Sequence, residues 1–256
     1  MEPVEVVDFI REMIIHEVTN NDFITDYGDP IIGFVSANDL AFSNLSQLTE
    51  FKHMMPEDLL PGTLSIVCFF LPFAPGIVYA NRKNKDLVAR EWAVAYHETN
   101  ALIGQITSGL IEKLSHFGIQ AAAESATGNF DETALRSHWS HKSIAVLSGI
   151  GSFGLHQLVI TDAGCAGRFG SMVIDVELPI EKPKQKERCE YFETGACMDC
   201  MLGCPVNAID EEEPFNRQAC WELCLRNAEY FLDLGDNIRV CGKCAVVGPC
   251  AQESAT

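Results

Sequence analysis

Two groups of cysteines near the end of the chain have the spacing of iron–sulfur ligands. Residues 197–205 read C-x2-C-x3-C-P, and residues 241–250 read C-x2-C-x5-C. A cubane cluster needs four thiolates, and bacterial two-cluster ferredoxins use C-x2-C-x2-C-x3-C-P, whose fourth cysteine binds the other cluster. Most of the 11 cysteines lie after residue 188, so this segment is predicted to hold two [4Fe-4S] clusters.

The ligand assignment follows from one departure from the bacterial pattern. Counting back from Cys204 places Thr194 where the first cysteine would stand, and the nearest substitute is Cys189. We expect the two groups to exchange their fourth ligands. The first cluster would then take Cys189, Cys197, Cys200 and Cys250, and the second would take Cys204, Cys220, Cys241 and Cys244. Cys224 lies one helical turn from Cys220 and is the alternative ligand there.

A structural zinc ion is the competing interpretation. The two C-x2-C pairs could together form a four-cysteine zinc site. Such a site would use only four of the clustered cysteines and would not require Cys204-Pro205. The ligand count therefore favours two clusters over zinc, or over a single cluster.

The elements that must position these cysteines form a mixture of helices and strands. Residues 4–18 and 86–117 have apolar residues at helical spacing, whereas 63–71, 155–161 and 171–178 read as strands. They show no regular β-α-β repeat, so the pattern predicts an α+β fold. The polar stretch 179–188 reads as a linker. We therefore expect one domain over 1–181 and a second over 182–256.

The segment Gly149–Gly154 matches G-x-G-x-x-G letter for letter. A dinucleotide site requires a strand before this motif and a helix after it. Here a predicted helix precedes the motif and an apolar strand follows it, so a Rossmann site is disfavoured. Glycines at these positions still let the backbone approach a flat ligand closely.

The order of these motifs resembles that of the epoxyqueuosine reductase family. The resemblance rests on Ser148–Gly154, the strand 158–160, the segment Phe169–Asp175 and the cysteine groups that follow. It covers roughly residues 60–250, and Tyr96-His97 falls where the family has a Tyr-His pair. That family comprises cobalamin-dependent iron–sulfur reductases related to the reductive dehalogenases.

The resemblance implies a nitroreductase-like, corrinoid-binding α+β domain followed by a ferredoxin-like module with two [4Fe-4S] clusters. Electrons would pass through the clusters to cobalamin or another corrinoid. Tyr96 and His97 are the candidate catalytic proton donors, with Glu124 and Asp131 as further candidates. The expected cofactor-binding residues are His141, Gly149, Gly151, Ser152, Phe153, Gly154, Gly170 and Ser171.

Three departures from the family bear on the substrate. Ala95 stands where the family has an acid before Tyr-His, and residues 125–128 read S-A-T-G where the family has V-D-[ST]-G. The chain ends at Thr256, without the helical-repeat extension of the longer tRNA-modifying enzymes. Together with the net charge of −18, these departures predict a substrate other than tRNA.

The charge balance also bears on partners. Lys and Arg total 18 against 36 Asp and Glu, which disfavours nucleic acid and anionic membranes. No secretory signal or membrane-spanning stretch is recognised, so a cytoplasmic location is expected. The expected partners are a corrinoid and a redox protein of the ferredoxin or flavodoxin type, or a corrinoid protein. Two alternatives remain open: an activator that only reduces a corrinoid, and a two-cluster ferredoxin with an interaction domain.

Overall fold

The computed structural model describes residues 1–49, 51–85, 87–180, 186–235 and 238–253. The predicted domain boundary at 181/182 lies outside the described residues. The helices are α1 Pro3–Thr19, α2 Ala41–Thr49, α3 Pro56–Leu59, α4 Pro75–Lys83, α5 Arg90–Ser115, α6 His141–Leu147, α7 Glu190–Thr194, α8 Asp199–Leu202 and α9 Arg217–Ala228. The strands are β1 Ile31–Ser36, β2 Ser65–Pro72, β3 Ala121–Ala123, β4 Phe130–Asp131, β5 Arg136–Ser137, β6 Gly151–Phe153, β7 Val159–Thr161 and β8 Gly167–Ile174.

The central sheet is antiparallel and has the strand order β1-β2-β8-β3. Strand β2 is buried along its whole length, which explains its continuous apolar sequence. Cys68 of β2 lies opposite Ser171 of β8, so β8 occupies the middle of the sheet beside β2. The predicted mixture of helix and sheet is confirmed.

The long helix α5 packs under the sheet together with α1. The sequence predicts a helix over 86–117, and the structure has an unbroken one over Arg90–Ser115. Gly109 does not interrupt it; a Cβ there would lie 3.1 Å from Met13 Cε, so the glycine lets α1 come close. The shared core includes Ile10, Ile14, Leu102, Ile106 and Leu110. Neither α5 nor any other helix in the described ranges is long and apolar enough to cross a membrane.

The glycine-rich segment forms part of a hairpin. Its residues Gly151–Phe153 pair as β6 with β7, so the strand predicted over 155–161 is shorter than expected. The Gly154 N–H donates to the Leu158 carbonyl oxygen at 2.9 Å, and Gln157 adopts φ 60°. This backbone turn, rather than a phosphate loop, accounts for the motif.

The chain before residue 181 and the chain after 185 share one hydrophobic cluster. Phe73 and Trp92 pack in it with Val240 and Val246 from the cysteine-rich segment. Gly164 (φ 82°) lies against the end of that segment, where a Cβ would come within 2.6 Å of backbone atoms. The cysteine-rich segment is therefore packed directly onto the sheet-bearing part of the chain.

Candidate active site and metal centres

A cavity of about 690 Å³ lies between the sheet and the cysteine-rich segment. Its volume is within the usual range for small-molecule and cofactor sites, which are about 300–1,000 Å³. Residues from α5, β8, the loop at 126–130 and the cysteine-rich segment all contribute to its wall. The aromatic side chains in this wall are Phe73, Trp92, Tyr96, Phe130, Trp139, Phe169 and Trp221.

The first group of cysteines converges on a second, smaller cavity. Its lining includes the four residues predicted to bind one cluster, namely Cys189, Cys197, Cys200 and Cys250, together with His156. Cys189 caps the start of α7, Cys200 lies in α8 and Cys250 lies in a short 3-10 turn. Burial, followed by the charges of the other cysteines, raises the pKa of Cys200 to about 12. The structure thus brings together four thiols that lie up to 61 positions apart in the sequence.

The second group consists of Cys204, Cys220, Cys241 and Cys244, with Cys224 beside them. Burial, and then the nearby charges of Cys220 and Cys204, raises the pKa of Cys241 to about 11. Cys224 donates its S–H to Cys220, and this hydrogen bond lowers the pKa of Cys220 to about 7. Both thiols of this pair lie beside Cys241.

Cys241 connects the second group to the large cavity. It belongs to this group and also lines the wall of the cavity. Asn81 Nδ2 donates to the Cys241 carbonyl oxygen at 3.0 Å and fixes its backbone. A metal centre bound by this group would adjoin a ligand in the cavity.

A chain of hydrogen bonds supports one wall of the large cavity. Trp139 Nε1 donates to Ser171 Oγ at 2.9 Å, and the Ser171 hydroxyl lies 2.7 Å from His141 Nδ1. His141 Nε2 lies 3.3 Å from the Ser125 carbonyl oxygen, so it must carry the proton and donate it. Burial lowers the pKa of His141 to about 4. His141 is thus neutral at pH 7, and both of its ring nitrogens are engaged.

Three basic side chains line the large cavity, and nothing in the sequence pattern singled them out. Lys142 Nζ donates to the Gln157 carbonyl oxygen at 2.9 Å, and burial lowers the pKa of this lysine to about 8. Arg168 lies over the Tyr96 ring, with Cζ 4.2 Å from its centroid. Its Nε is buried with no hydrogen-bond partner in the described structure. Arg239 is the third.

Acidic groups contribute little to this cavity. Glu132 is the single carboxylate among the described lining residues, and it forms an ion pair with Arg239. The candidate acids Glu124 and Asp131 are absent from the described lining. Ala126, Thr127 and Gly128 line it at the position where the resemblance predicted a missing acid.

The two predicted catalytic residues are separated by the geometry of α5. Tyr96 lines the large cavity, whereas His97 is exposed and is not part of the described lining. Consecutive residues point about 100° apart around a helix, so Tyr96 and His97 face different sides. The structure therefore does not place Tyr96 and His97 in the same site.

The predicted cofactor-binding residues are also divided. Of this set, His141 alone is among the described lining residues of the large cavity, and Ser171 lies behind it as a hydrogen-bond partner. Gly170 packs away from the cavity, because a Cβ there would lie 2.9 Å from Ile103 Cγ2 in the core. The residues of the glycine motif, Gly149, Gly151, Ser152, Phe153 and Gly154, belong to the hairpin region and are outside that lining.

Comparison of the sequence with known proteins finds relatives among the epoxyqueuosine reductases. An epoxyqueuosine reductase from Yersinia pestis is 25% identical over 231 residues, covering 76% of this chain and 54% of that protein. One from Escherichia coli is 25% identical over 203 residues, covering 76% and 50%. The chain is similar to epoxyqueuosine reductases. This similarity confirms the resemblance that was recognised from the order of the motifs. No family model matches the chain.

Solved structures show the same fold. An epoxyqueuosine reductase bound to a tRNA-Tyr stem loop carrying epoxyqueuosine has a TM-score of 0.59 at 19% identity, over 97% of this chain and 64% of that one. The catabolic reductive dehalogenase NpRdhA has a TM-score of 0.58 at 14% identity, over 88% and 30%. The chain spans about half the length of the curated epoxyqueuosine reductases it matches.

These relatives correct two predictions. The epoxyqueuosine reductase structure contains a tRNA stem loop, which contradicts the exclusion of nucleic acid and of a tRNA substrate. The prediction had combined the replaced acids, the end of the chain and the net charge, and the net charge of a whole chain does not describe the local field at a site. The reductase names of the relatives agree with the predicted oxidoreductase class.

Proposed function

We propose that this protein is an iron–sulfur reductase that uses a corrinoid and acts on a modified nucleoside in RNA. The observation that carries the proposal is the position of Cys241, which joins the second cysteine group to the wall of the large cavity. A cluster bound there would deliver electrons over a short distance to a group held in the cavity.

Two [4Fe-4S] clusters fit the two cysteine groups. The first would be bound by Cys189, Cys197, Cys200 and Cys250, and the second by Cys204, Cys220, Cys241 and Cys244. Soft thiolate donors in sets of four are the usual ligands of such clusters. In this proposal residues 182–256 form the ferredoxin-like module, and residues 1–181 form the nitroreductase-like domain.

In this proposal the large cavity holds a corrinoid. Its aromatic walls suit a broad, flat ligand. Arg168 Nε is a buried donor without a partner in the described structure, and an acceptor on a bound group would satisfy it. Trp92, Tyr96 and Trp139 would hold the group from the sheet-bearing part of the chain. When bound, a corrinoid supplies a cobalt centre that accepts electrons and reduces a substrate.

The side chains of the cavity have separate roles in this proposal. The Trp139–Ser171–His141 hydrogen bonds position the wall, and the aromatic residues exclude water. Lys142 Nζ holds a proton close to neutral pH, because burial lowers the pKa of this lysine to about 8. The Tyr96 hydroxyl is the second group that can hold a proton there. Arg168 offers positive charge to an anionic substrate, whereas the charge of Arg239 is balanced by Glu132.

The substrate class is taken from the relatives and is supported by charge. Three basic side chains line the cavity against one carboxylate, Glu132; it pairs with Arg239, so the charges of Lys142 and Arg168 are left in excess. Basic groups at this position suit the phosphates of an RNA stem loop. Epoxyqueuosine in a tRNA stem loop, the ligand of a solved relative, is therefore the first substrate to test.

The proposal is tested on anaerobically reconstituted protein. We expect about eight iron and eight sulfide per chain, since each cubane holds four of each. Titration with cob(II)alamin should change its EPR spectrum, and incubation with reductant and an epoxyqueuosine stem loop should yield queuosine RNA. A preparation that saturates at four iron overturns the ligand sets. An unchanged cob(II)alamin spectrum overturns the corrinoid site.

A further inference from the structure

His156 is a buried histidine that the proposed function leaves unused. It follows β6, is 3% exposed, and lines the small cavity together with the four cysteines of the first group. Its Nε2 lies 3.6 Å from Cys250 Sγ, a distance suited to an N–H···S hydrogen bond. Buried polar groups of this kind are nearly always hydrogen-bonded.

A backbone contact determines which nitrogen of His156 carries the proton. The Leu158 N–H donates to His156 Nδ1 at 3.1 Å. Because Nδ1 accepts this hydrogen bond, the neutral ring must carry its proton on Nε2. The Nε2–H group therefore points at Cys250 Sγ as a donor.

The same contact argues against His156 as a metal ligand. A neutral histidine that binds iron through Nε2 must be protonated at Nδ1. That proton would face the Leu158 N–H, so two donors would meet at 3.1 Å. Cys165 also adjoins Cys250, and its S–H has two acceptors within reach, the Ala245 carbonyl oxygen at 3.6 Å and Cys250 Sγ. A separate metal site at these three residues is thus disfavoured.

The hairpin is shaped to hold this ring. A Cβ at Gly154 would lie 2.8 Å from His156 Cε1, so a side chain at that position would displace the imidazole. The left-handed backbone of Gln157 returns the chain so that the Leu158 N–H reaches Nδ1. The last glycine of the glycine-rich motif therefore provides space for His156.

We propose that His156 donates a hydrogen bond to the Cys250 ligand of the first iron–sulfur cluster and raises its reduction potential. The inference rests on the proposed function, because it requires a cluster at this group. Reduction adds negative charge to a cluster and its thiolates. A donor directed at a ligand sulfur stabilises that charge and makes reduction easier. His156 is thus a positioning and tuning residue, not a ligand.

The test is an EPR-monitored redox titration of the reconstituted protein. His156→Leu should lower the potential of one cluster while leaving iron content unchanged. His156→Gln, whose amide N–H can still donate, should restore part of the shift. The control His116→Leu makes the same change at an exposed histidine of the α5 terminus and should leave both potentials unchanged. Equal potentials in wild type and His156→Leu, at full iron content, overturn the inference.

A second measurement uses the unaltered chain and so does not depend on folding of a variant. Protein labelled with 15N-histidine is reduced and studied by pulsed EPR. A hydrogen-bonded His156 should give a weak 15N coupling and an exchangeable proton coupling. A strong 15N coupling would make His156 a ligand and overturn the inference. Absence of any cluster signal in wild type would instead contradict the proposed function itself.

Discussion

Cys250 stands two residues beyond the place that the bacterial cluster pattern gives its last cysteine. The run C-x2-C-x3-C-P, started at Cys241, would end at Gly248-Pro249. A Cβ built on Gly248 lies 3.6 Å from Cys250 Sγ and equally far from Asp199 Cβ. A cysteine at position 248 would therefore lie beside the Cys250 thiol.

This proximity predicts that a cysteine at position 248 can replace Cys250 as a ligand. Cys250→Ala should lose about four iron per chain, since one cluster loses a ligand. Gly248→Cys combined with Cys250→Ala should recover them, because Gly248 has φ −89°, which any residue adopts. Iron and sulfide assays on anaerobically reconstituted protein give the result. A double variant that remains at the iron content of Cys250→Ala would contradict this ligand geometry.

His141 should make stability depend on pH. Burial lowers its pKa to about 4 in the folded protein, whereas the unfolded chain titrates near the ordinary value of 6.5. Below pH 6.5 His141 binds a proton in the unfolded chain but not in the folded one. Stability is therefore lost as pH falls from 6.5 towards 4, by about 2 kcal/mol between pH 7 and pH 5.

The measurement compares unfolding of wild type with His141→Gln at pH 7 and pH 5. The variant should have a lower free energy of unfolding than wild type at pH 7. This free energy should fall less between pH 7 and pH 5 than it does in wild type. His53, whose pKa burial also lowers, is retained in both proteins, so its contribution cancels. Identical losses in the two proteins would show that His141 does not titrate as described.

At the scale of elements, one lysine joins α4 to the second cysteine group. Lys243 is 6% exposed, and its Nζ donates to the Asn81 and Leu87 carbonyl oxygens at 2.9 and 2.7 Å. It also donates to Asn81 Oδ1 and to the Asn84 carbonyl oxygen. A single ammonium group thus binds carbonyl oxygens at the end of α4 and in the turn that leads into α5.

Replacing Lys243 should weaken the contact between α4 and the second cysteine group. Lys243→Met leaves buried carbonyl acceptors without their donor, at a cost of about 3 kcal/mol. For a chain of this size the thermal midpoint should fall by about 5–10 °C. Lys83→Met, at an exposed lysine of the same α4, is the control and should change it little. Equal thermal midpoints for the two variants would show that Lys243 does not stabilise this contact.

At the scale of the whole molecule, the charge is unevenly distributed. The net charge is −18, yet Lys142, Arg168 and Arg239 meet at the large cavity. The field at a cleft depends on the charges that line it, because salt screens the more distant ones beyond about 10 Å. An acidic protein can therefore present a basic site to an anionic substrate.

This distribution predicts salt-dependent RNA binding through the cavity. Arg239→Gln should weaken binding of an epoxyqueuosine stem loop and lower the salt slope, because it removes a positive charge from the cavity wall and leaves the Glu132 carboxylate without its partner. Lys113→Gln removes the same charge from an exposed site on α5 and should have little effect. Fluorescence anisotropy at several salt concentrations measures both. Equal losses in the two variants would indicate non-specific attraction only.

Local sequence was enough to predict the kind of fold and to single out the cysteines of the proposed metal centres. Cysteine type and spacing are local properties, and iron–sulfur ligation is specified by them. The buried strand β2 and the long helix α5 were recognisable because their apolar periodicity is also local. The motif order sufficed to recognise the resemblance to epoxyqueuosine reductases.

Which side chains share the cavity depends instead on how the elements pack. Lys142, Arg168 and Arg239 come from three distant parts of the chain, and no spacing rule links them. The same holds for His97 and the glycine motif, which sequence order placed at the site and packing placed elsewhere. The position of the proton on His156 likewise depends on packing, because the Leu158 N–H determines it. Such features arise from contacts between elements, so they exist only once the chain has folded.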